Sequence, residues 1–194
     1  MVICICGKSG SGKTTIAKNL NNIIPNSIHI DIDTIGHKSH LDVNVKEKLI
    51  NIFGNDIITN DNIDRKKLSK IVFSNKDEMK KLEYITWEYM EKEIDNIIEN
   101  NKNKIIILDW LLLPKTKYFN NNNFKILIDI PYKIRKERAM KRDNITEETF
   151  DLRDKTSIDY DNNSFDYIIR KNNDIKRLVK LIWLKFYIQE VLIL

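Results

Sequence analysis

Short runs of consecutive apolar residues alternate along this chain with longer stretches in which apolar residues recur every three or four positions. Unbroken apolar runs of about four to eight residues are typical of parallel strands that are buried on both faces. The first pattern predicts strands at 2–6, 27–31, 104–109, 124–130 and 166–169. The second predicts helices at 15–20, 43–53, 64–73, 76–100, 132–142 and 174–189.

The alternation of strands with helices predicts a doubly wound α/β fold, in which a five-stranded parallel sheet lies between two layers of helices. Residues 43–100 contain helical patterns without strands, and we expect them to form an insertion in a single domain, 1–194, that covers an acceptor substrate. Ligands bind such sheets at the carboxyl ends of the strands. Gly7, Asp31, Asp33 and Asp109 all fall at such ends, which places the candidate site there.

Composition narrows the class of protein. The 194 residues are 42% hydrophobic and 31% charged, with a formal net charge of +5. We expect a globular protein with a solvated, lysine-rich surface that acts on small molecules, without nucleic acid or membrane, and we favour a monomer. Cys4 and Cys6 lie two positions apart on one predicted strand, which disfavours a disulfide and favours reduced thiols in the cytoplasm.

Residues 7–14 match the phosphate-binding pattern G-x-x-x-x-G-K-[ST] without a gap. Its glycines allow the backbone to curl so that N–H groups point at phosphate oxygens, and the following helix presents its positive N-terminus to the same anion. The lysine serves the β- and γ-phosphates, and the threonine hydroxyl can bind Mg²⁺. Because a predicted strand precedes the pattern and a helix follows it, we prefer a nucleoside triphosphate site to a chance glycine-rich turn. The candidate nucleotide-binding residues are Gly7, Lys8, Ser9, Gly10, Ser11, Gly12, Lys13, Thr14 and Thr15.

Two carboxylates, Asp31 and Asp33, follow the second predicted strand. If the strand continues to Asp33, both side chains point the same way. A carboxylate at this place can accept the proton of an attacking hydroxyl or help to hold Mg²⁺. The alternative is an acidic pair that caps a helix at 34–40. We favour the functional interpretation because of the position of the pair after the phosphate loop.

Asp109 follows the apolar run 105–108, an arrangement that resembles a Walker B segment. An aspartate after a buried strand beside the phosphate loop typically orients Mg²⁺, either directly or through water. The alternative is an ordinary strand end that faces solvent.

Three arginines, Arg135, Arg138 and Arg142, have a spacing that predicts one helix face, and Arg153 lies in the next helical stretch. Phosphoryl transfer spreads negative charge over oxygens that mobile arginines can stabilise, although a charged outer face explains the spacing equally well. His37 and His40 suggest a metal pair, but no third ligand accompanies them, so we favour ordinary surface histidines.

Two short segments resemble the motifs of a GTP-binding switch. They are DTIG at 33–36, which matches D-x-x-G, and NKDE at 75–78, which nearly matches N-K-x-D. The carboxylate of Glu78 is one methylene too far from its backbone for guanine selection, and its segment begins a helix instead of following a strand. We therefore disfavour a GTP-binding switch.

Several longer motifs resemble the dephospho-coenzyme A kinase family, and the resemblance runs from Gly7 to about Leu181. The residues at 31–33, DID, match the family's D-A-D. The distinctive segment at 63–73, IDRKKLSKIVF, matches I-D-R-x-x-L-x-x-x-V-F. Similar segments are LEYI at 82–85, DWLLL at 109–113, ERAMKRD at 137–143 and FDYII at 165–169.

This resemblance implies a P-loop domain of the nucleotide-kinase type, with a helical substrate-binding insertion and a lid at about 135–160. The implied reaction is ATP-dependent phosphorylation of the 3′-hydroxyl of dephospho-coenzyme A, with ATP and Mg²⁺ as cofactors. The implied catalytic residues are Asp33 as general base, Lys13, Arg138 and Arg142. Further implied residues are Arg153, Lys171 and Asn172 for the nucleotide, Asp31, Asp33, Arg65, Leu82 and Asp109 for the substrate, and Thr14 and Asp109 for the metal.

The chain departs from the family's pattern at several acceptor-side and lid positions. Two of them, Arg135 and Asp154, stand where the family has lid glutamines. The departures leave open a kinase for another small acceptor, such as a nucleoside or a nucleoside monophosphate. A nucleotide-binding partner module without catalysis is disfavoured by the intact Lys13, Thr14 and Asp33. The other departures are Thr86, Trp87, Trp110 and Leu111.

Overall fold

The computed structural model describes residues 1–120, 122–170 and 175–191, and the chain divides into two units. Met1–Asp31 together with Lys102–Leu194 form the first, here called the sheet unit. Ile32–Asn101 form the second, the helical unit. Each unit has a hydrophobic core of its own. The helical unit contains the whole of 43–100 and begins earlier in the chain, at Ile32.

The secondary structure contains the predicted strands and helices in their order and adds a hairpin and two helices, at Ile32–Ser39 and Glu147–Lys155. The strands are β1 (Val2–Cys6), β2 (Ser27–Asp31), β3 (Ile58–Thr59), β4 (Asn62–Ile63), β5 (Ile105–Asp109), β6 (Phe124–Ile128) and β7 (Tyr167–Ile169). The helices are α1 (Lys13–Ile23), α2 (Ile32–Ser39), α3 (Val43–Phe53), α4 (Arg65–Ser74), α5 (Lys76–Glu99), α6 (Tyr132–Asp143), α7 (Glu147–Lys155) and α8 (Ile175–Val191). Within the described ranges, no helix has the length and apolar character that a membrane span requires.

The sheet unit contains a sheet of five parallel strands in the order β2-β5-β1-β6-β7, which confirms the predicted α/β sheet. The register pairs Asp109 with Ile5 of β1 and with Asp31 of β2. The central strands therefore end at one edge of the sheet. The phosphate loop follows β1 at this edge, so the fold brings the loop to the two strand-end carboxylates.

The two faces of β1 are buried in different surroundings because side chains alternate along a strand. Ile3 and Ile5 pack in a core that includes Leu20 of α1 and Leu178 of α8. The thiols of Cys4 and Cys6 on the other face are free and buried. Burial raises the pKa of Cys4 to about 12 and also raises the pKa of Cys6, so both thiols stay protonated at neutral pH.

The helical unit is built from helices that begin at capping side chains. Asp42, Asp64 and Asn75 precede α3, α4 and α5, and each accepts a hydrogen bond from a backbone N–H of the first turn. Such caps satisfy donors that have no partner inside the helix. These helices enclose the core formed by Val45, Leu49, Ile57, Ile63, Leu68, Val72 and Ile85.

A short hairpin in this unit shows that the prediction of helices without strands over 43–100 was wrong. β3 pairs antiparallel with β4, and Ile58 lies opposite Ile63. The turn residues Asn60 and Asp61 both have positive φ, 49° and 59°, as two-residue hairpin turns require. Asn and Asp tolerate positive φ better than most residues do, so Asn60 and Asp61 could have indicated this turn from the sequence. The strands were too short for an alternating pattern to appear.

Candidate active site

The backbone of the phosphate loop has the conformation that its glycines make possible. Gly10 and Gly12 have φ of 75° and 93°, in the left-handed region that residues with a Cβ rarely adopt. Helix α1 begins directly after them, at Lys13, and its first turn contains no acidic residue. The N–H groups of a first turn have no partner inside their helix, and together with the dipole of α1 they favour an anion at this position.

The loop is packed closely against its neighbours. A Cβ on Gly10 would lie 2.1 Å from the carbonyl oxygen of Arg135, and a Cβ on Gly7 would lie 2.7 Å from the carbonyl oxygen of Ile128. Contacts of this length are incompatible with any side chain. The two glycines thus set the distance from the loop to the start of α6 and to the end of β6.

The side chains of the loop differ in their environments. Lys13 and Thr14 are half-buried and Thr15 is exposed. The hydroxyl Oγ of Ser11 is buried and has no hydrogen-bond partner among the described residues. Lys8 forms a 2.7 Å ion pair with Asp159, whose side chain is exposed.

Asp31 and Asp109 lie side by side at the ends of β2 and β5. Asp109 is only 2% exposed, and its Oδ2 has no hydrogen-bond partner among the described residues. The alternative of a solvent-facing strand end is therefore wrong for Asp109. A buried carboxylate oxygen without a donor is costly, which makes this group a candidate for a ligand-dependent role.

Asp33 does not continue the strand that carries Asp31. β2 ends at Asp31, and α2 begins at the fully buried Ile32. The condition for both carboxylates to point the same way, that the strand continues to Asp33, is therefore not met. Asp33 is instead an exposed residue of the first turn of α2, where a negative charge interacts favourably with the helix dipole.

The predicted row of arginines on α6 divides into a buried residue and exposed ones. Arg135 forms a two-pronged ion pair with Asp154 of α7, at 2.6 and 3.2 Å, and also donates to the carbonyl oxygens of Ile130 and Ser9. Arg138 is exposed, and its Nη1 lies 3.9 Å from where a Cβ on Gly12 would be.

The remaining arginines of this region are exposed. Arg142 forms a two-pronged ion pair with its neighbour Asp143, and Arg153 lies on α7. The predicted nucleotide-binding residues Lys171 and Asn172 lie outside the described residues.

Two further pairs join α6 to α7. Lys136 contacts Glu147, and the hydroxyl of Tyr132 contacts Asp151. With the Arg135–Asp154 pair they define what we call the α6–α7 clamp. The two helices begin and end within the predicted lid, 135–160, except for the first residues of α6.

Tyr160 is a site residue that sequence reasoning missed. Its hydroxyl accepts a hydrogen bond from the N–H of Gly7 at 3.1 Å and donates one to the carbonyl oxygen of Leu111 at 2.8 Å. Burial is the main cause of its raised pKa, so the phenol stays neutral and keeps its proton for the Leu111 bond. The side chain ties together the segments that follow β1 and β5. No motif marks it, because its partners are 153 and 49 positions away.

A cavity of about 320 Å³ adjoins the phosphate loop. Its lining combines the loop and α1 with Arg138, the last residue of β7 and the first residue of α8. This volume lies at the lower end of the range for small-molecule sites. The lining therefore combines the polar phosphate loop with the apolar side chains of Ile169 and Ile175.

The helical unit holds the remaining predicted residues. Arg65 is the exposed first residue of α4, and Leu82 is a half-buried residue of α5 that packs on the unit's core. Burial, followed by the charges of Arg65 and His37, lowers the pKa of His40. Within the described part of the chain, no group of three or more His, Cys, Asp or Glu side chains is arranged to hold a metal ion.

Comparison with known proteins identifies the family. The family model for CoaE, dephospho-CoA kinase, matches residues 1–176. The chain belongs to the dephospho-CoA kinase family. A dephospho-CoA kinase of Aquifex aeolicus is 33% identical over 186 residues, which cover 92% of each protein.

Solved structures agree with this family. A dephospho-CoA kinase from Campylobacter jejuni is 28% identical, with a TM-score of 0.59 over 95% of this chain and 96% of that one. The Thermus thermophilus protein TT1252 has a TM-score of 0.80 at 21% identity, over 95% of this chain and 97% of that one, and shares the fold. This chain and each of these three proteins therefore align over at least 92% of their lengths.

The family resemblance gives the Arg135–Asp154 pair a particular meaning. By that resemblance glutamines are expected at both positions, and in this chain Arg135 and Asp154 form an ion pair with each other. A single substitution at either position would leave a charge without its partner. The two departures from the pattern therefore form one compensated pair.

We expect Arg135→Ala to lower the free energy of unfolding by about 3–5 kcal/mol, because it leaves the Asp154 carboxylate poorly solvated and unpaired. The side chains of Arg135 and Asp154 are 8% and 13% exposed. Denaturant unfolding measures the change. Arg170→Ala removes the exposed ion pair with Asp129 and serves as the control, with an expected loss of about 0–1 kcal/mol. Equal losses in the two variants would contradict the assignment.

Proposed function

We propose that this chain transfers the γ-phosphoryl group of ATP to the 3′-hydroxyl of dephospho-coenzyme A, the last step of coenzyme A synthesis. The observation that carries the proposal is the phosphate loop at the N-terminus of α1, at the sheet edge that holds Asp109, in a member of this family. The enzyme is an ATP-dependent kinase, and we propose that it acts in the cytoplasm.

The phosphate loop supplies the binding site for the triphosphate. Backbone N–H groups between Lys8 and Thr14 interact with the phosphate oxygens, except that of Ser11, which donates to the carbonyl oxygen of Lys8. The dipole of α1 favours the same anion, and Lys13 adds a charge at the β- and γ-phosphates. Because the first turn of α1 has no acidic residue, no carboxylate of that turn opposes the anion. Ser11 and Thr15 complete the loop's polar lining.

We assign the base and ribose of ATP to the 320 Å³ cavity beside the loop. Arg138 lines it and can stack on the base or pair with a phosphate. Ile169 contributes an apolar side chain to the lining of this cavity. We propose Arg153, Lys171 and Asn172 as further nucleotide-binding residues.

The residues at the sheet edge fit a Mg²⁺ ion that accompanies ATP. Asp109 offers a carboxylate that is 2% exposed, and Thr14 offers a hydroxyl at the start of α1. Mg²⁺ usually takes one or two protein oxygens and completes its shell with water and phosphate oxygens, so a site without three carboxylates suffices. When bound, the ion neutralises charge on the β- and γ-phosphates.

Asp33 acts as the general base. As the 3′-oxygen attacks the γ-phosphorus, its proton passes to the carboxylate of Asp33, and the bond from the γ-phosphorus to the β,γ-bridging oxygen breaks to release ADP. We propose that Asp31, Arg65, Leu82 and Asp109 also contribute to acceptor binding, and that the helical unit supplies the acceptor site.

The lid at 135–160 contributes charge stabilisation. Arg138 and Arg142 are exposed on α6, where they can approach the transferring group. Arg142 then exchanges its exposed pair with Asp143 for phosphate oxygens. Arg135 holds α6 to α7 and to the loop, and takes no part in the chemistry.

The test is ATP consumption by the purified protein with Mg²⁺, with and without dephospho-coenzyme A. ATP loss that depends on the acceptor, with coenzyme A as the product, is the expected result. A parallel panel of nucleosides and nucleoside monophosphates, and GTP in place of ATP, separates the alternatives. Faster turnover with any member of that panel than with dephospho-coenzyme A would overturn the proposed acceptor.

A further inference from the structure

A buried histidine on the neighbouring strand reaches the proposed metal ligand. His29 lies in the middle of β2, two residues before Asp31, and its side chain is 11% exposed. Its Nε2 lies 3.6 Å from Oδ2 of Asp109, whose side chain is 2% exposed. Both atoms are buried, and neither has a hydrogen-bond partner among the described residues.

Two unsatisfied polar atoms that face each other across this distance call for a common explanation. A buried donor or acceptor without a partner costs about 1–3 kcal/mol. A bridging water is disfavoured, because at about 2.7–3.2 Å from both atoms it would have to form its two hydrogen bonds at an acute angle. A small rotation of the imidazole brings Nε2–H within hydrogen-bond distance of Oδ2 and satisfies both atoms at once.

His29 lies between a fixed part of β2 and the carboxylates at the strand end. Ser27, on the same face of β2, donates to the carbonyl oxygen of Ile24 at 2.7 Å and so joins the strand to the end of α1. The backbone register places Asp31 opposite Asp109, beyond His29 along the strand. The strand is therefore fixed on one side of His29, and the carboxylates lie on the other.

We propose that His29 is a positioning residue for the phosphoryl transfer: its Nε2–H donates to Oδ2 of Asp109 and fixes the direction in which that carboxylate meets the hydrated Mg²⁺ ion. The inference rests on the proposed role of Asp109. Carboxylates near a metal are themselves held by hydrogen bonds, and loss of such a bond typically lowers metal affinity or activity by about 10–100-fold. His29 acts through Asp109 and touches neither nucleotide nor acceptor.

The experiment compares His29→Leu, which removes the donor, with His29→Gln, whose amide keeps an N–H at about the same reach. Calorimetry measures the dissociation constant of ATP with excess Mg²⁺ and with EDTA, and the ratio of the two reports how strongly Mg²⁺ assists binding. We expect His29→Leu to reduce this assistance and to raise the Mg²⁺ concentration needed for half-maximal turnover by about 10–100-fold. His29→Gln should stay close to the unaltered chain.

Ser27→Ala is the matched control, because it removes a hydrogen bond from the same strand face without touching Asp109. It should lower the melting temperature and leave Mg²⁺ assistance unchanged. Unchanged assistance in His29→Leu, or equal loss of ATP binding with and without Mg²⁺, would overturn the proposal. The two calorimetric dissociation constants, with Mg²⁺ and with EDTA, need ATP and no acceptor. They therefore test the role of His29 even if the unaltered chain fails to phosphorylate dephospho-coenzyme A, a failure that would reject only the proposed acceptor.

Discussion

Asp33→Asn will lower kcat by about 10²–10⁴-fold while ATP still binds with nearly unchanged affinity. The amide keeps the size and hydrogen-bonding oxygen of the carboxylate but cannot accept the proton of the 3′-hydroxyl. Asp33 is exposed in the first turn of α2, so the exchange should cost the fold little. Steady-state kinetics with dephospho-coenzyme A gives kcat, and calorimetry gives the dissociation constant of ATP.

Asp42→Asn provides the control for this substitution. Asp42 caps α3 in the same helical unit through the N–H of Val45, and asparagine caps helices about as well as aspartate. It should therefore leave kcat unchanged. If Asp33→Asn abolished ATP binding as well, the residue would be a metal ligand or a structural group, and the general-base assignment would fail.

Lys13→Ala will reduce kcat/KM by about 10²–10³-fold, because the transition state loses a positive charge that its spreading negative charge requires. The loop's backbone should keep its shape, since Gly10 and Gly12 set the left-handed turn before α1. The measurement is initial rate against ATP concentration at saturating acceptor, with circular dichroism to verify folding.

Lys18→Ala is the matched control on the same helix, because Lys18 is exposed and lies one turn beyond the loop. It removes the same charge from the chain and should leave kcat/KM unaltered. Normal turnover by Lys13→Ala would reject the ATP site at the loop, whereas equal losses in both variants would point to a general effect of net charge.

The features that the sequence predicted well depend on strong local rules. Apolar runs marked all five strands of the main sheet, because strands buried on both faces admit few polar residues. The phosphate loop was recognisable because its positive φ angles at Gly10 and Gly12 demand glycine at fixed positions.

The features that it missed depend on distant partners or on fine boundaries. The spacing of Arg135, Arg138 and Arg142 shows a shared helix side but not which of them is buried, since that depends on Asp154 in the next helix. The end of β2 at Asp31 was ambiguous because Ile32 suits either a strand or a helix. The His29–Asp109 approach arises only when β2 and β5 pair.

The α6–α7 clamp has a consequence for the thermodynamics of nucleotide binding. Segments that are disordered before they close lose conformational entropy on binding, and that loss weakens affinity. Here Arg135–Asp154, Lys136–Glu147 and Tyr132–Asp151 hold the two helices together. Under the proposed function, closing the lid would therefore order little new structure between α6 and α7, and most of the interaction energy of Arg138 and Arg142 would go into holding the phosphates.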